Sequence, residues 1–175
     1  SLRVPRLSIN VSARQCMDEG FLVVLEQALA RYQVPAGAID LEITESCFLD
    51  RGAFDRILPT LRQLGLTLTI DDFGTGYATL ASLRHAPINT IKIDRAFVDD
   101  IAGGKSDGAI AKAVVALGKS QNLRVVAEGV ETEQQLEFLG EIGCDACQGY
   151  LVAPPLATDA FVGWLEENRL RIDAV

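Results

Sequence analysis

Histidine is nearly absent from this chain: among 175 residues there is one, His85. Cysteine is sparse as well, with Cys16, Cys47, Cys144 and Cys147 making four. Only Cys144 and Cys147 stand in a CxxC spacing, and structural zinc sites usually draw four ligands from two close pairs. With no second pair, zinc or redox chemistry at that motif is disfavoured. The two cysteines read instead as small buried residues at the start of a strand. Reduced thiols fit a cytoplasmic setting. No apolar run approaches the ~18 residues that a membrane-spanning helix needs. No basic segment leads into an apolar stretch at the start, as in a secretory signal. Positive charge is in deficit, with 16 Lys and Arg against 24 Asp and Glu and a net charge of −8. Binders of polynucleotides or anionic membranes normally present a basic face, so neither is an expected partner. An acidic protein can still hold phosphates if metal cations or local basic groups supply positive charge.

What is present is the make-up of a globular domain, with 49% hydrophobic and 23% charged residues. The length suits one domain over residues 1–175. Six short apolar runs at 7–11, 39–43, 66–70, 90–93, 123–127 and 146–151 are rich in β-branched residues and Leu. They read as strands buried on both faces. The segments between them carry helical spacing. Residues 18–33 place Phe21, Val24, Leu25, Ala28, Leu29 and Tyr32 on one stripe. A helix over 50–64 closes at Gly65, and Pro59 should kink or restart it. A helix over 109–120 turns Ile110, Ala113, Val114 and Leu117 inward. Thr132 and Gln135 form a capping box for a helix that stops at Gly143. The last helix, over 158–168, buries Phe161, Trp164 and Leu165. Residues 74–89 read as a long loop with a short helix around 79–84.

A strand–helix alternation of this kind argues α/β with a parallel sheet. Polar residues gather at the strand ends: Asn10, then Glu42 and Glu45, then Asp71 and Asp72, then Lys92 and Asp94, then Glu128 and Glu131, then Gln148. In a parallel barrel these ends converge on one face, whereas a doubly wound sheet spreads them along a crevice. A chemical group at every strand end favours a (β/α)8 TIM-type barrel, with roughly its last six βα units in this chain. Two further units are expected ahead of Ser1. Asn10, Glu42 and Asp71 offer oxygen donors, suited to Mg2+, Mn2+ or Ca2+ rather than zinc. Adjacent Asp71 and Asp72 repel each other, and they share a site only if the chain bends between them. Each residue also has an ordinary reading taken alone. Asn10 could bond to neighbouring backbone, Lys92 could be a counter-ion, Asp94 and Glu131 could cap helices, and Gln148 could cap a sheet edge.

The stretches LSINVSARQ, LEITES, DDFGTGYATL, IKIDRAFV, VVAEGVET and CQGYLVAPPL occur in one order across nearly the whole chain. In them the sequence resembles the EAL family of cyclic-di-GMP phosphodiesterases, whose domain is a modified (β/α)8 barrel. The resemblance implies hydrolysis of cyclic di-GMP to linear pGpG with Mg2+ or Mn2+, two ions in all. It implies metal ligands at Asn10, Glu42 and Asp71, and a second-metal ligand at Asp72. Lys92 would orient the water or the phosphate. Glu128 would be general base or second-metal ligand. Glu45 would anchor the loop after Asp72, and Gln148 would lie near the metals and their water. The Glu-Ala-Leu motif that names the family is absent, and its place lies upstream of Ser1. The resemblance also implies fusion to other signalling domains, and open barrel edges make a homodimer one expected form. Two rivals are a non-hydrolytic domain that binds cyclic di-GMP or a partner protein, and a barrel aldolase with Lys92 as Schiff-base nucleophile.

Overall fold

Alternation along the strands sets the architecture. The computed structural model describes residues 6–16, 18–48, 51–74, 87–102 and 108–168. Among these residues six strands run in chain order: β1 (Leu7–Val11), β2 (Ile39–Thr44), β3 (Thr67–Phe73), β4 (Ile88–Ile93), β5 (Arg124–Ala127) and β6 (Ala146–Cys147). Each is parallel to the next, in a sheet ordered β1 to β6 without a reversal. A doubly wound sheet would reverse its order at a switch point. The sheet is instead a curled half-barrel, in keeping with the polar groups at its strand ends.

The runs that look uniformly apolar in fact alternate. Leu41, Ile43, Leu68, Ile70, Ile91, Ile93, Val125 and Ala127 belong to the hydrophobic core shared with the helices. The intervening residues Ser8, Asp40, Glu42, Thr69, Thr90 and Lys92 line a cavity of about 130 Å3 on the concave face. On β2 and β4 both faces are largely buried but only one is apolar, whereas β1, at the sheet edge, is exposed from Leu7 to Asn10 rather than buried on both faces. The register aligns Asn10 with Glu42, Glu42 with Thr69, and Thr44 with Asp71. Aligned residues of a parallel ladder share a face, so one layer of polar side chains crosses the concave surface.

Among the described residues the helices are α1 (Ala13–Cys16), α2 (Glu19–Tyr32), α3 (Arg51–Leu64), α4 (Arg95–Ala102), α5 (Ala109–Gln121), α6 (Glu133–Ile142) and α7 (Thr158–Glu167). The α6 capping box forms, with Thr132 accepting from the Gln135 amide and Gln135 answering. Helix α3 runs through Pro59 without a break, since a proline removes only one intrahelical bond. It closes with Leu66 N donating to Leu61 O at 3.0 Å. The α2 stripe is narrower than its periodicity suggests. Leu22 is buried and Phe21, Leu25 and Leu29 pack on the core, while Val24 and Tyr32 are exposed. On α5 the buried stripe is Ala111, Val114, Val115 and Gly118, one position round from the expected one. Ile110 is exposed. Gly118 sets this rotation, because a Cβ there would lie 2.3 Å from Val125 Cγ2. Helices α1 and α4 are too short to carry a long apolar period, so the sequence pattern does not announce them. The short helix expected around 79–84 lies outside the described residues.

Two glycines make a paired test of packing. A Cβ on Gly149 would lie 2.1 Å from Val130 O, whereas one on Gly140, inside α6, would meet nothing within 4 Å. Gly149→Ala should therefore destabilise by about 1–3 kcal/mol through overpacking. Gly140→Ala should stabilise by ~0.5–1 kcal/mol through helix propensity. Thermal melts of the two variants would read opposite signs, and equal signs would contradict this packing.

Candidate functional site: a lysine among carboxylates

Lys92 projects from β4 into the concave face and is 4% exposed. Its ammonium lies 3.0 Å from Glu42 Oε2 on β2 and 3.2 Å from Asp71 Oδ1 on β3. It also pairs closely with Glu128 Oε1, just past β5. Burial pulls the Lys92 pKa down, but hydrogen bonds to Glu128 and Glu42 and the charge of Asp71 outweigh it. The ammonium is thus held above the usual lysine range. A Schiff-base lysine must be neutral to attack a carbonyl, so this geometry opposes the aldolase reading.

Asp71 and Asp72 reach one site because the backbone bends. Asp72 has φ +54°, and the β3–β4 register shifts between Ile70 and Phe73. A non-glycine residue in the left-handed region costs roughly 1–2 kcal/mol, with aspartate among the better tolerated. The bend lets Asp71, Asp72 and Glu128 bring carboxylate oxygens within 4.8 Å of one another. Burial, the charge of Asp71 and a hydrogen bond with Asp94 push the Asp72 pKa up. Burial also pushes Glu128 up, with Asp71 and Glu42 adding to it against the pull of Lys92.

These residues fit a hard divalent cation. The Oδ1 atom of Asp71 is buried and makes no hydrogen bond. Lys92 approaches it only as an ion pair, outside hydrogen-bond geometry. An all-oxygen donor set with an unsatisfied buried carboxylate oxygen suits Mg2+ or Mn2+.

The carboxylates within 4.8 Å of one another are Asp71, Asp72 and Glu128, and the other expected residues lie at the following positions. Asn10 stands beside Glu42 on the first strand of the sheet. Gln148 lines the same cavity as Glu42 and Lys92. Its backbone is fixed by bonds from Gln148 N to Ala127 O and from Val130 N to Gln148 O. Glu45 lies in the 3₁₀ turn Glu45–Phe48 and accepts from the Gly74 amide at 2.7 Å. Gly74 has φ +107°, and a Cβ there would lie 2.9 Å from Phe97 Cε2, so only glycine suits this position. Asp94 accepts from the Ala96 amide at 2.7 Å and so caps α4. Glu131 is exposed and accepts from Arg95 Nη2 at 2.7 Å.

Two supporting residues stand outside the strand-end set. Asp40 is buried and accepts from the hydroxyls of Thr67 (2.7 Å) and Thr69, in the layer beneath Glu42. Arg95 joins α4 to the segment after Glu128 through Glu131. The signal for Asp40 in the sequence is its spacing of two from Glu42, which puts both on one face. Arg95 carries no such signal. The four cysteines are free thiols, and among the described His, Cys, Asp and Glu residues the only group of three or more placed to share a cation is Asp71, Asp72 and Glu128.

Parallel strands in chain order, with a lysine–carboxylate centre at their C-terminal ends, define a barrel domain of the (β/α)8 class. Within it, the chain belongs to the EAL domain family, whose model matches residues 2–155. It is 42% identical over 154 residues to the bifunctional diguanylate cyclase/cyclic di-GMP phosphodiesterase MucR of Pseudomonas aeruginosa, covering 87% of this chain and 22% of MucR. It is 38% identical over 160 residues to the cyclic di-GMP phosphodiesterase PdeR of Escherichia coli, covering 91% of this chain and 24% of PdeR. The PaMucR phosphodiesterase in complex with cyclic di-GMP superposes with a TM-score of 0.84 at 41% identity, over 89% of this chain and 64% of that one. The chain spans less than a quarter of either curated relative.

The raised proton affinity of Glu128 has a consequence for stability. Its folded pKa exceeds its unfolded one. The stability it contributes is therefore complete below the unfolded carboxylate range and is lost as pH rises through the folded value. Glu128→Gln removes that loss. In chelator, the melting temperature of the variant relative to wild type should climb as pH rises above the ordinary carboxylate range. Excess Mg2+ should reverse the advantage. A difference that stays flat with pH would refute the upward shift of Glu128.

Proposed function

We propose that this domain hydrolyses cyclic di-GMP to linear pGpG by in-line attack of water with two divalent cations, Mg2+ or Mn2+. The observation that carries this reading is the charged Lys92 among Glu42, Asp71 and Glu128, beside an Asp72 turned into the same site. Membership of a family whose relatives are named for this activity supports it.

In this reading Asn10, Glu42 and Asp71 hold one cation and Asp72 holds the second. Bound divalent cations supply Lewis-acid stabilisation of the phosphoryl oxygens and lower the pKa of water. Lys92, kept protonated, offsets phosphate charge as it grows towards the transition state. Glu128 can serve as ligand or base, and its raised proton affinity suits uptake of a proton from the attacking water. Gln148 orients that water by hydrogen bonding. Glu45 acts at one remove, through the Gly74 amide. The cations also allow a chain of net charge −8 to hold a dianion. The longer protein would carry further signalling domains, act in the cytoplasm, and homodimerise. No helix among the described residues is long and apolar enough to cross a membrane.

Turnover of cyclic di-GMP with Mn2+ tests the reading directly. Asp71→Asn should lower it by more than about 100-fold, beyond the ~10–100-fold typical of losing a group that supports a ligand. Ca2+, being larger, should inhibit. Full activity in excess chelator would overturn the metal mechanism. Binding of cyclic di-GMP with no turnover, in the protein carrying all its upstream segments, would support the receptor reading instead.

Glu45 and Glu42 separate positioning from ligation. Glu45→Ala should cut turnover by roughly 10–100-fold while metal affinity falls less than in Glu42→Ala. Calorimetric titration with Mn2+ reads the difference. Equal losses of metal binding would show that Glu45 acts on the cation itself.

A further inference from the structure

Cys16 ends α1 and Cys47 lies in the turn Glu45–Phe48, 31 residues away. Both are free thiols, 4% and 1% exposed. Their sulfur atoms lie 3.3 Å apart. Phosphodiester hydrolysis uses no thiol, so the proposed function leaves this pair unexplained. A disulfide needs sulfurs at about 2.05 Å, which calls for a small rotation of two side chains rather than rearrangement of the fold. We propose that Cys16 and Cys47 form a redox-responsive dithiol, closed to an intramolecular disulfide by peroxides and reopened by thiol reductants.

The local chemistry gives each thiol a part. The hydrogen bond that the Cys47 thiol shares with Cys16, with further help from Thr44, pushes Cys47 down against burial. The same pairing and burial push Cys16 up. With the sulfurs 3.3 Å apart either can attack first, and one order takes Cys47 first and Cys16 second. The Cys47 sulfur attacks a peroxide oxygen, the O–O bond breaks, and Cys47 becomes a sulfenic acid as water or an alcohol leaves. The Cys16 sulfur then attacks Cys47, the S–O bond breaks, and the departing hydroxide leaves as water with the Cys16 proton. Two thiols lose two electrons in total, and hydrogen peroxide becomes two waters. Access requires only local opening of α1, a single turn whose Arg14 and Gln15 lie on its outer side. Transient disulfides of this kind are the form in which cytosolic proteins use them.

Cys144 and Cys147 provide an internal contrast. The Cys144 thiol faces the Val125 and Ala146 carbonyls at 3.4 and 3.3 Å, and burial pushes both thiols up. The disulfide would also have a location that matters. It would tie the segment after Asn10 to the turn whose Glu45 holds Gly74.

The test treats the full chain with hydrogen peroxide and maps its peptides without reduction. The expected result is loss of two hydrogen masses and one cross-linked peptide joining Cys16 to Cys47, both reversed by dithiothreitol. The melting temperature should rise by roughly 5–10 °C, as a cross-link over a loop of this length implies. A variant with Cys144→Ser and Cys147→Ser should keep the cross-link, while Cys16→Ser or Cys47→Ser should lose it. The proposal fails if wild-type Cys16 and Cys47 stay reduced while Cys144 or Cys147 reacts. It fails equally if Cys47 gains two oxygen atoms with no cross-link.

Discussion

One buried ammonium holds the concave face of this domain together. Lys92 draws Glu42, Asp71 and Glu128, from three other segments, onto a single point. Carboxylates crowded this closely repel each other, and each is costly to remove from water. Without the lysine that cost would stand uncompensated. Breaking such a buried pair typically costs about 3–5 kcal/mol. The lysine also sits on β4, inside the sheet, so its partners approach from both flanks. The requirement for one cation at this spot therefore couples the positions of β2, β3 and the end of β5.

That constraint explains the division of labour along the strands. Apolar residues turn to the helices, where Ile70, Ile91 and Val125 have no exposure. Polar residues turn to the concave face and need partners. Asp40 finds them in Thr67 and Thr69. Asp71 Oδ1 does not find a hydrogen bond, and this unmet need is what makes the centre receptive to a cation. The left-handed Asp72 belongs to the same logic, because a regular strand would have sent it to the opposite face. Local strain at a site of this kind persists when the surroundings hold it, and Glu45 supplies that hold by gripping the Gly74 amide two residues on.

The thiol pair lies at the edge of this centre. Cys47 follows Glu45 by two residues, and Cys16 ends the short helix after β1. Their proximity is independent of the charged layer, since both sulfurs belong to the apolar core. Chemistry at the pair would thus reach the site through the backbone and Glu45 rather than through charge.

Much of this is legible in one dimension. Apolar runs of strand length, Gly65 after a helical period and the Thr132–Gln135 box announce their elements through local physics alone. A polar residue at every strand end announces that the ends converge, because a parallel sheet brings them to one face. Other features depend on contacts between distant segments. The buried face of α5 rotates to admit Gly118 against Val125, which helical periodicity does not encode. The register that puts Asn10 beside Glu42 comes from the pairing of two strands. The approach of Cys16 to Cys47 and the bracing of Glu131 by Arg95 come from segments far apart in the chain meeting in space. Residue types and their spacing along the chain specify which chemistry a face can carry. Distances between side chains far apart in sequence, and the charge states those distances impose, exist only once the sheet has curled.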